Sequence, residues 1–355
     1  MASVAPATIP SRGALRQLAT DPVVVAWEVT RACGYRCVHC RADAMPRPAP
    51  GELNPDEAQA LVEGLGGFSG TTLVLTGGDP LLRRDLVPIV RAGRDVGLGV
   101  ALTPSATPRV TPERLDELAA AGVDRIAISI DGADAAAHDR MRGMPGSFER
   151  SLRILGHARA AGLRTQVNTT VTRHSAGHLD RLARLVAGTG AEMWSVFFLV
   201  PVGRAPAQDM LDADGHEAAL RRLAEISDDV PFRLKVTEAP AYRRVLIQTG
   251  RTDRMPPAVN GGRGFMFISH DGLISPSGFL PVIAGSVRRD DPVHVYRTAA
   301  VFREVRDTAR LKGRCGACEF RSVCGGSRAR AYAITGDLMA EDPTCAYQPM
   351  GRTPC

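Results

Sequence analysis

Short apolar stretches rich in β-branched residues alternate with amphipathic helical patterns from residue 22 to about residue 200. Each stretch has the length of a buried strand, and the segment after it repeats its apolar residues at helical spacing. This alternation is typical of βα units and predicts a parallel sheet. The six predicted strands are residues 23–29, 72–76, 98–103, 125–130, 165–171 and 193–200.

Helix boundary signals separate these strands. Asn54-Pro55 and Thr111-Pro112 each place a capping residue before a first-turn proline, and Gly122 suits the left-handed position that ends a helix. Six βα units are too few for a closed eight-stranded barrel. We therefore expect an α/β fold, a partial (β/α)6 barrel of the TIM type with a cysteine-rich C-terminal extension. Chemistry in such sheets collects at the carboxyl ends of the strands.

The chain is predicted to have four segments. The third contains a helical pattern near residues 216–226 and a short strand at 232–236, and the fourth begins with a hairpin whose turn is Asp271-Gly272. The predicted N-terminal arm, barrel, connector and cysteine-rich extension span residues 1–21, 22–204, 205–260 and 261–355.

The eight cysteines lie near the two ends of the chain. Cys33, Cys37 and Cys40 follow the first predicted strand, and Cys355 is the last residue, which we expect to be a free thiol. In a chain of this length, such a placement favours metal or redox ligands over a disulfide framework. The remaining four are Cys315, Cys318, Cys324 and Cys345.

Three thiolates offered to four irons leave one iron without a protein ligand. A chelating small molecule can bind that open iron and receive an electron, whereas an electron-transfer ferredoxin normally closes all four positions with cysteine. A zinc site is the alternative explanation of the same spacing.

The spacing Cys33-x3-Cys37-x2-Cys40 resembles the cluster motif of the radical S-adenosylmethionine (SAM) superfamily. In that family the open iron is chelated by the amino and carboxylate groups of SAM, and His39 stands where the family usually has an aromatic residue beside the adenine. The resemblance implies that the three cysteines hold a [4Fe–4S] cluster, which cleaves SAM to a 5′-deoxyadenosyl radical.

A second motif follows the second predicted strand. Gly77-Gly78-Asp79 and the next proline are similar to the family's GGEP motif, with Asp in place of Glu. Paired glycines let a backbone edge approach a ligand closely and offer carbonyls to an ammonium group. After the third strand the family often has an Asn-Gly turn. The sequence here has Thr103 and Ser105 instead, so this loop departs from the family pattern.

The fourth strand leads into Ser129 and Asp131, with Arg142 further on, and this region is also similar to the family. The resemblance implies contacts with the ribose hydroxyls and the carboxylate of SAM. A capping or turn role for Asp131 remains open. All SAM-contacting positions implied by the resemblance are His39, Gly77, Gly78, Asp79, Ser129, Asp131, Arg142, Asn168 and Thr170.

The second cysteine group resembles the SPASM/twitch extension of radical SAM enzymes, which carries auxiliary iron–sulfur clusters. Ser277 and Ser327 occupy positions where relatives have cysteines. With Cys315, Cys318, Cys324 and Cys345 available, we predict one auxiliary [4Fe–4S] cluster. A structural zinc ribbon on the same thiolates is the alternative.

Charge and composition exclude other classes of protein. The net charge is +6, but basic residues are scattered among acids, and 5% of residues are aromatic, which argues against nucleic-acid binding. No stretch suits a membrane helix or a secretory signal, so a cytoplasmic location without membrane contact is predicted. The basic excess favours acidic small molecules as partners.

The resemblance is strongest to the branch of haem and haem d1 biosynthesis, which implies a radical SAM oxidoreductase or decarboxylase acting on a carboxylated small molecule. A flavodoxin- or ferredoxin-type protein would donate the electron. Arg204, Arg243 and Arg244 are candidate carboxylate partners, and Glu238 and His270 are candidates for proton transfer. The alternatives are a maturase of a ribosomally made peptide and a non-enzymatic zinc-binding protein.

Overall fold

The computed structural model describes residues 12–350, and within them ten strands form one sheet in the order β10-β9-β8-β1-β2-β3-β4-β5-β6-β7. The strands are β1 Val24–Thr30, β2 Thr72–Gly77, β3 Gly99–Leu102, β4 Arg125–Ser129, β5 Arg164–Val171, β6 Met193–Phe198, β7 Arg233–Thr237, β8 Phe265–Ile268, β9 Leu273–Ser275 and β10 Gly285–Ser286. Cys355 lies outside the described residues.

Strands β1 to β6 pair in sequence order, and every pairing among them is parallel. The predicted α/β barrel sheet is therefore confirmed. The sheet also extends at both sides: β7 pairs in parallel with β6, and β8 pairs in parallel with β1 before the antiparallel β9 and β10. Strands that the sequence analysis assigned to the connector and the extension thus satisfy the edges of the barrel sheet.

Thirteen α-helices lie within residues 12–350. They are α1 Arg12–Thr20, α2 Pro55–Leu65, α3 Leu86–Asp95, α4 Pro112–Ala121, α5 Ala135–Arg142, α6 Ser147–Ala160, α7 Leu179–Thr189, α8 Ala213–Ile226, α9 Ala241–Gln248, α10 Pro292–Thr298, α11 Ala300–Arg306, α12 Gly313–Ala317 and α13 Arg328–Thr335. None of the helices in this part of the chain is long and apolar enough to cross a bilayer.

The predicted helix boundaries are confirmed by their caps. The Asn54 side chain accepts from the Glu57 N–H while the Glu57 side chain accepts from the Asn54 N–H, which is a capping box. Thr111 caps α4, and Gly122 ends it with φ of 107°, a value that favours glycine.

The two faces of the strands have different environments. Val25, Trp27 and Val29 of β1 belong to the main apolar core, and the corresponding alternate residues of the other barrel strands join them. Because side chains alternate along a strand, the residues between them, such as Ala26 and Glu28, face the opposite side. We call that side the barrel interior.

Candidate active site

The first three cysteines lie in the loop that follows β1, at the carboxyl end of the barrel sheet. Cys33 and Cys37 are buried and share an apolar cluster with Tyr35 and Ala44, against which Cys40 packs. All three are free thiols. One loop therefore presents three sulfurs at the edge of the sheet where α/β enzymes place their chemistry.

Backbone and hydroxyl groups contact these sulfurs. The Tyr35 N–H donates to Cys33 Sγ at 3.3 Å, the Ala44 N–H donates to Cys40 Sγ at 3.4 Å, and Ser105 Oγ lies 3.2 Å from Cys33 Sγ. Burial raises the pKa of the Cys37 thiol to about 11. The protein alone thus favours the neutral thiol, and a bound metal displaces that proton when it takes the thiolate as ligand.

The paired glycines after β2 hold the cysteine loop in place. A Cβ at Gly78 would lie 2.2 Å from the Ala32 carbonyl oxygen, and one at Gly77 would lie 2.3 Å from that of Thr30. Gly77 also has φ of 130°. These glycines therefore allow a close approach to the backbone beside Cys33. From the sequence, the close approach was predicted to be to a ligand.

Asp79 is fully buried, and its carboxylate is used within the protein. Thr107 Oγ1 donates to Asp79 Oδ2 at 2.9 Å, and the Leu81 N–H donates to Oδ1 at 3.3 Å. The side chain ties the loops after β2 and β3 together. Ser105, in the loop after β3 that departs from the family pattern, donates from its Oγ to the Gly78 carbonyl. This bond is a further contact between the same two loops.

Asp131 lies directly beyond β4 and connects several predicted site residues. Arg142 Nη1 lies 3.2 Å from Asp131 Oδ2, His39 Nε2 lies 3.5 Å from the same oxygen, and the Thr170 N–H donates to Oδ1 at 2.8 Å. The Arg142 guanidinium also lies over the Tyr35 ring. Asp131, Arg142 and His39 thus form one buried polar group beside the cysteine loop.

Ser129 and Asn168 are neighbours in the barrel sheet. Ser129 pairs with Asn168 across β4 and β5, and both lie between core positions of their strands, so their side chains face the barrel interior. Gln166 Nε2 donates to Asn168 Oδ1 at 2.7 Å, while Ser129 is partly exposed. The structure therefore brings together predicted SAM-contacting residues from β4 and β5 at one level of the interior.

Arg204 follows β6 and binds the cysteine loop. Its backbone N–H donates to the Cys40 carbonyl, its Nε donates to the Cys37 carbonyl at 3.2 Å, and its Nη1 donates to the Ala44 carbonyl at 2.8 Å. Nη1 also pairs with Asp43. Most of its donors are used to hold this loop, which differs from the free carboxylate partner that the sequence analysis expected.

The residues around the cysteine loop suit a bound ligand. His39 Nδ1 and Arg204 Nη2 are buried polar atoms without a hydrogen-bond partner in residues 12–350. No three His, Cys, Asp or Glu side chains in this range converge on a single-ion site. A [4Fe–4S] cluster needs no such convergence, because each thiolate binds a different iron. Three free thiols beside unsatisfied polar groups fit a cluster that carries a polar small-molecule ligand.

The four C-terminal cysteines line one pocket with Arg244 and Arg314. The Asp342 N–H donates to Cys315 Sγ at 3.4 Å, and Arg328 Nη2 lies 3.9 Å from the same sulfur. Burial raises the pKa of Cys324 to about 12. Arginines around the thiols offset the negative charge of a four-thiolate cluster, so the site suits a closed iron–sulfur centre.

Arg243 and Arg244 lie beside this second pocket rather than in the barrel interior. Arg243 is buried and donates to the Val323 carbonyl and to Asn260 Oδ1. Arg244 pairs with Glu217 and lies over the Tyr347 ring. Their prediction as substrate carboxylate partners disagrees with these contacts, because each guanidinium is bound within the protein.

Glu28 is a functional candidate that the sequence analysis missed. Its carboxylate faces the barrel interior and accepts from Arg41 Nη2 at 2.7 Å, and His270 Nδ1 lies 3.0 Å from Oε1. Arg41 also lies over the Phe267 ring. Glu28 lies within a strand that was predicted from its apolar residues. Its single charge among those residues was the signal in the sequence that could have indicated a functional role.

The chain matches the model of the radical SAM superfamily over residues 27–186. It is 40% identical over 346 residues to a protein of Nitratidesulfovibrio vulgaris named AdoMet-dependent heme synthase, covering 94% of each chain. A protein of the same name from Methanosarcina barkeri is also 40% identical, with 92% of this chain and 97% of that one covered. The crystal structure of Streptococcus suis SuiB bound to S-adenosylmethionine shares the fold, with a TM-score of 0.73 at 14% identity over 92% of this chain and 78% of that one.

Proposed function

The chain belongs to the radical SAM superfamily, and on this premise we propose that it oxidises or decarboxylates a carboxylated small molecule in the biosynthesis of a haem-like cofactor. The substrate class proposed is an iron porphyrin with propionate side chains. The chain is 40% identical over nearly its whole length to proteins named AdoMet-dependent heme synthase, and this identity supports the choice of substrate. We place the reaction in the cytoplasm, with a flavodoxin- or ferredoxin-type protein as electron donor.

Cys33, Cys37 and Cys40 would hold the SAM-binding [4Fe–4S] cluster. When bound, the cluster and SAM supply an organic radical that removes a hydrogen atom from the substrate. The chain's own residues hold this region in place. Arg204 fixes the loop through carbonyls, and the Asp131–Arg142 pair is buried beside it. We propose Ser129, Asn168 and His39 as groups that contact SAM.

The observation that carries the oxidative part of the proposal is a continuous polar path between the barrel and the second pocket. Glu238 follows β7, and its backbone carbonyl accepts from Arg330 Nη2 at 2.7 Å. Arg330 pairs with Asp342, whose N–H donates to Cys315 Sγ. A cluster on Cys315, Cys318, Cys324 and Cys345 would supply one-electron acceptor chemistry. Loss of a hydrogen atom and CO2 from a propionate leaves an alkene and one electron, so this reaction needs such an acceptor.

Anaerobically purified protein tests this function. We expect about eight irons per chain, the content of two [4Fe–4S] clusters. With SAM, dithionite and an iron porphyrin bearing propionates, 5′-deoxyadenosine should form together with CO2 and a vinyl product. The same porphyrin with every propionate converted to its methyl ester should give no CO2, because it has no free carboxylate to lose.

Two variants separate the clusters. Cys37→Ala should lose about four irons and all SAM cleavage, whereas Cys324→Ala should lose about four irons and keep SAM cleavage without completing the oxidation. Zinc in place of iron at residues 33–40 would refute the whole proposal. Formation of 5′-deoxyadenosine without any porphyrin product would refute the substrate and favour the peptide maturase.

A further inference from the structure

Lys235 is one of the two lysines in the chain, the other being Lys312, although Lys and Arg together number 44. It lies in the middle of β7, between Leu234 and Val236, which pack against the main core. Because side chains alternate along a strand, Lys235 faces the barrel interior. An ammonium group thus extends into the space that holds the predicted SAM-contacting residues.

Lys235 belongs to a row of polar residues across the sheet. It pairs with Ser195 of β6, Ser195 pairs with Asn168 of β5, and Asn168 pairs with Ser129 of β4. Neighbouring strands are about 4.8 Å apart, so the Lys235 backbone lies about 10 Å from that of Asn168. A molecule of moderate size that touches Asn168 can therefore also reach the Lys235 side chain.

Lys235 has no acidic side chain to match its charge in the described part of the chain. Among the described residues Lys235 has no hydrogen-bond or ion-pair partner, and the charged group that acts on it is another cation, Arg125. Arg125 has one ion pair, with Glu192 at 4.0 Å, whose side chain is 54% exposed, and Asp124 also acts on it electrostatically. Burial, and then Arg125, lower the pKa of Lys235.

Buried polar atoms in and beside these cations also lack hydrogen-bond partners within the described range. Ser195 Oγ is fully buried, and it has no hydrogen-bond partner in residues 12–350; the same is true of Arg125 Nε and Thr237 Oγ1. A buried hydrogen-bonding group without a partner costs about 1–3 kcal/mol. Such a cluster is expected where a ligand supplies the missing acceptor atoms.

We propose that Lys235, with Arg125 and Ser195, binds a carboxylate of the substrate inside the barrel. This inference rests on the proposed function and adds to it. We place a carboxylate that is retained at this site, because Arg125 is the first residue of β4 and lies at the end of the parallel sheet away from the cysteine loop. The substrate therefore carries at least two carboxylates, and Lys235 orients the molecule by holding one of them.

The main test uses anaerobic holoenzyme with Lys235→Met, which keeps an unbranched side chain one atom shorter and removes its charge. Lys312→Met is the matched control, since Lys312 is 65% exposed and pairs with Asp337. The probe is an iron porphyrin bearing propionates, and its Kd is measured from the shift of its absorbance. We expect Kd to rise about 10- to 100-fold in Lys235→Met. Kd should be unchanged in Lys312→Met, and Lys235→Arg should recover part of the affinity.

A second measurement does not depend on a variant. An acetylating N-hydroxysuccinimide ester should modify Lys312 under all conditions. The free-acid porphyrin should protect Lys235 from this reagent, and the same porphyrin with every propionate methyl-esterified should not. Peptide mass spectrometry reads both sites. This inference is overturned if Lys235→Met has the turnover and the Kd of the wild type and the porphyrin does not protect Lys235. That result leaves the proposed function intact. Protection of Lys235 without any turnover supports the carboxylate site and counts against the proposed reaction.

Discussion

The hydroxyl of Ser327 donates a hydrogen bond of 2.6 Å to Glu238 Oε2. Ser277 Oγ donates to the other oxygen of the same carboxylate at 3.3 Å. These are the two serines that stand where the family has further cysteines. Glu238 has φ of 57°, a left-handed value that is unusual for a residue other than glycine, and burial raises its pKa. A carboxyl group held by two hydroxyls thus joins the end of β7 to the C-terminal extension.

This arrangement predicts that Ser327→Ala lowers stability and leaves the iron content unchanged. The variant loses the bond to Glu238 and the cap that Ser327 gives α13, so a cost of about 1–3 kcal/mol is expected. Thermal unfolding and iron analysis measure the two effects. Ser69→Ala, at an exposed serine, is the control. Loss of iron in Ser327→Ala, or thermal unfolding equal to that of the wild type, would contradict this expectation.

Gly78→Ala should displace the cysteine loop. The new methyl group would lie 2.2 Å from the Ala32 carbonyl oxygen, which is backbone and cannot rotate away. We expect loss of the first cluster, with iron falling to about half, and destabilisation of about 1–3 kcal/mol. Gly156→Ala is the control, because a Cβ there meets nothing within 4 Å. Full iron content in Gly78→Ala would show that the loop tolerates the shift.

Arg204→Ala distinguishes a role in holding the loop from a role in binding substrate. If Arg204 acts through the Cys37 and Ala44 carbonyls, SAM cleavage without substrate should fall, and substrate Kd should change little. Lys at this position should not restore activity, because one ammonium cannot reproduce a guanidinium that binds several carbonyls. Arg181→Ala, at an exposed residue, is the control. Unchanged SAM cleavage with a much weaker substrate Kd would restore the carboxylate-binding interpretation.

Stability should fall as the pH is lowered from neutral, and His138 should account for part of the fall. Burial lowers the pKa of His138 to about 4, and its Nδ1 accepts from the Asp131 N–H at 3.0 Å. A depressed histidine pKa means that the unfolded chain binds the proton first, below its ordinary pKa of about 6.5. The stability from this group is therefore present at neutral pH and is lost towards pH 4, by about 2 kcal/mol at pH 5.

Urea unfolding at pH 7 and pH 5 measures this dependence. His138→Gln keeps a side-chain oxygen that can accept from Asp131 and removes the titration, so its stability should change less between the two pH values. His157→Gln, at an exposed histidine, should behave like the wild type. Equal pH dependence in His138→Gln and the wild type would exclude His138 as the source.

The sequence alone was enough to establish features that depend on local spacing. The alternation of strands and helices predicted the barrel sheet, and the caps at Asn54 and Thr111 marked helix starts, because a strand or cap is specified by residues a few positions apart. The interval between Cys33, Cys37 and Cys40 identified the family for the same reason. These features are determined by residues that are close together in the sequence.

Only the tertiary structure decided which distant residues meet. The pairing of β7 with β6 and of β8 with β1, the direction of Arg243 toward the second pocket, and the binding of Glu238 by Ser277 depend on long-range packing. Lys235 illustrates the reason: its face is decided by strand register, and a shift of one residue would turn the ammonium group out of the barrel interior.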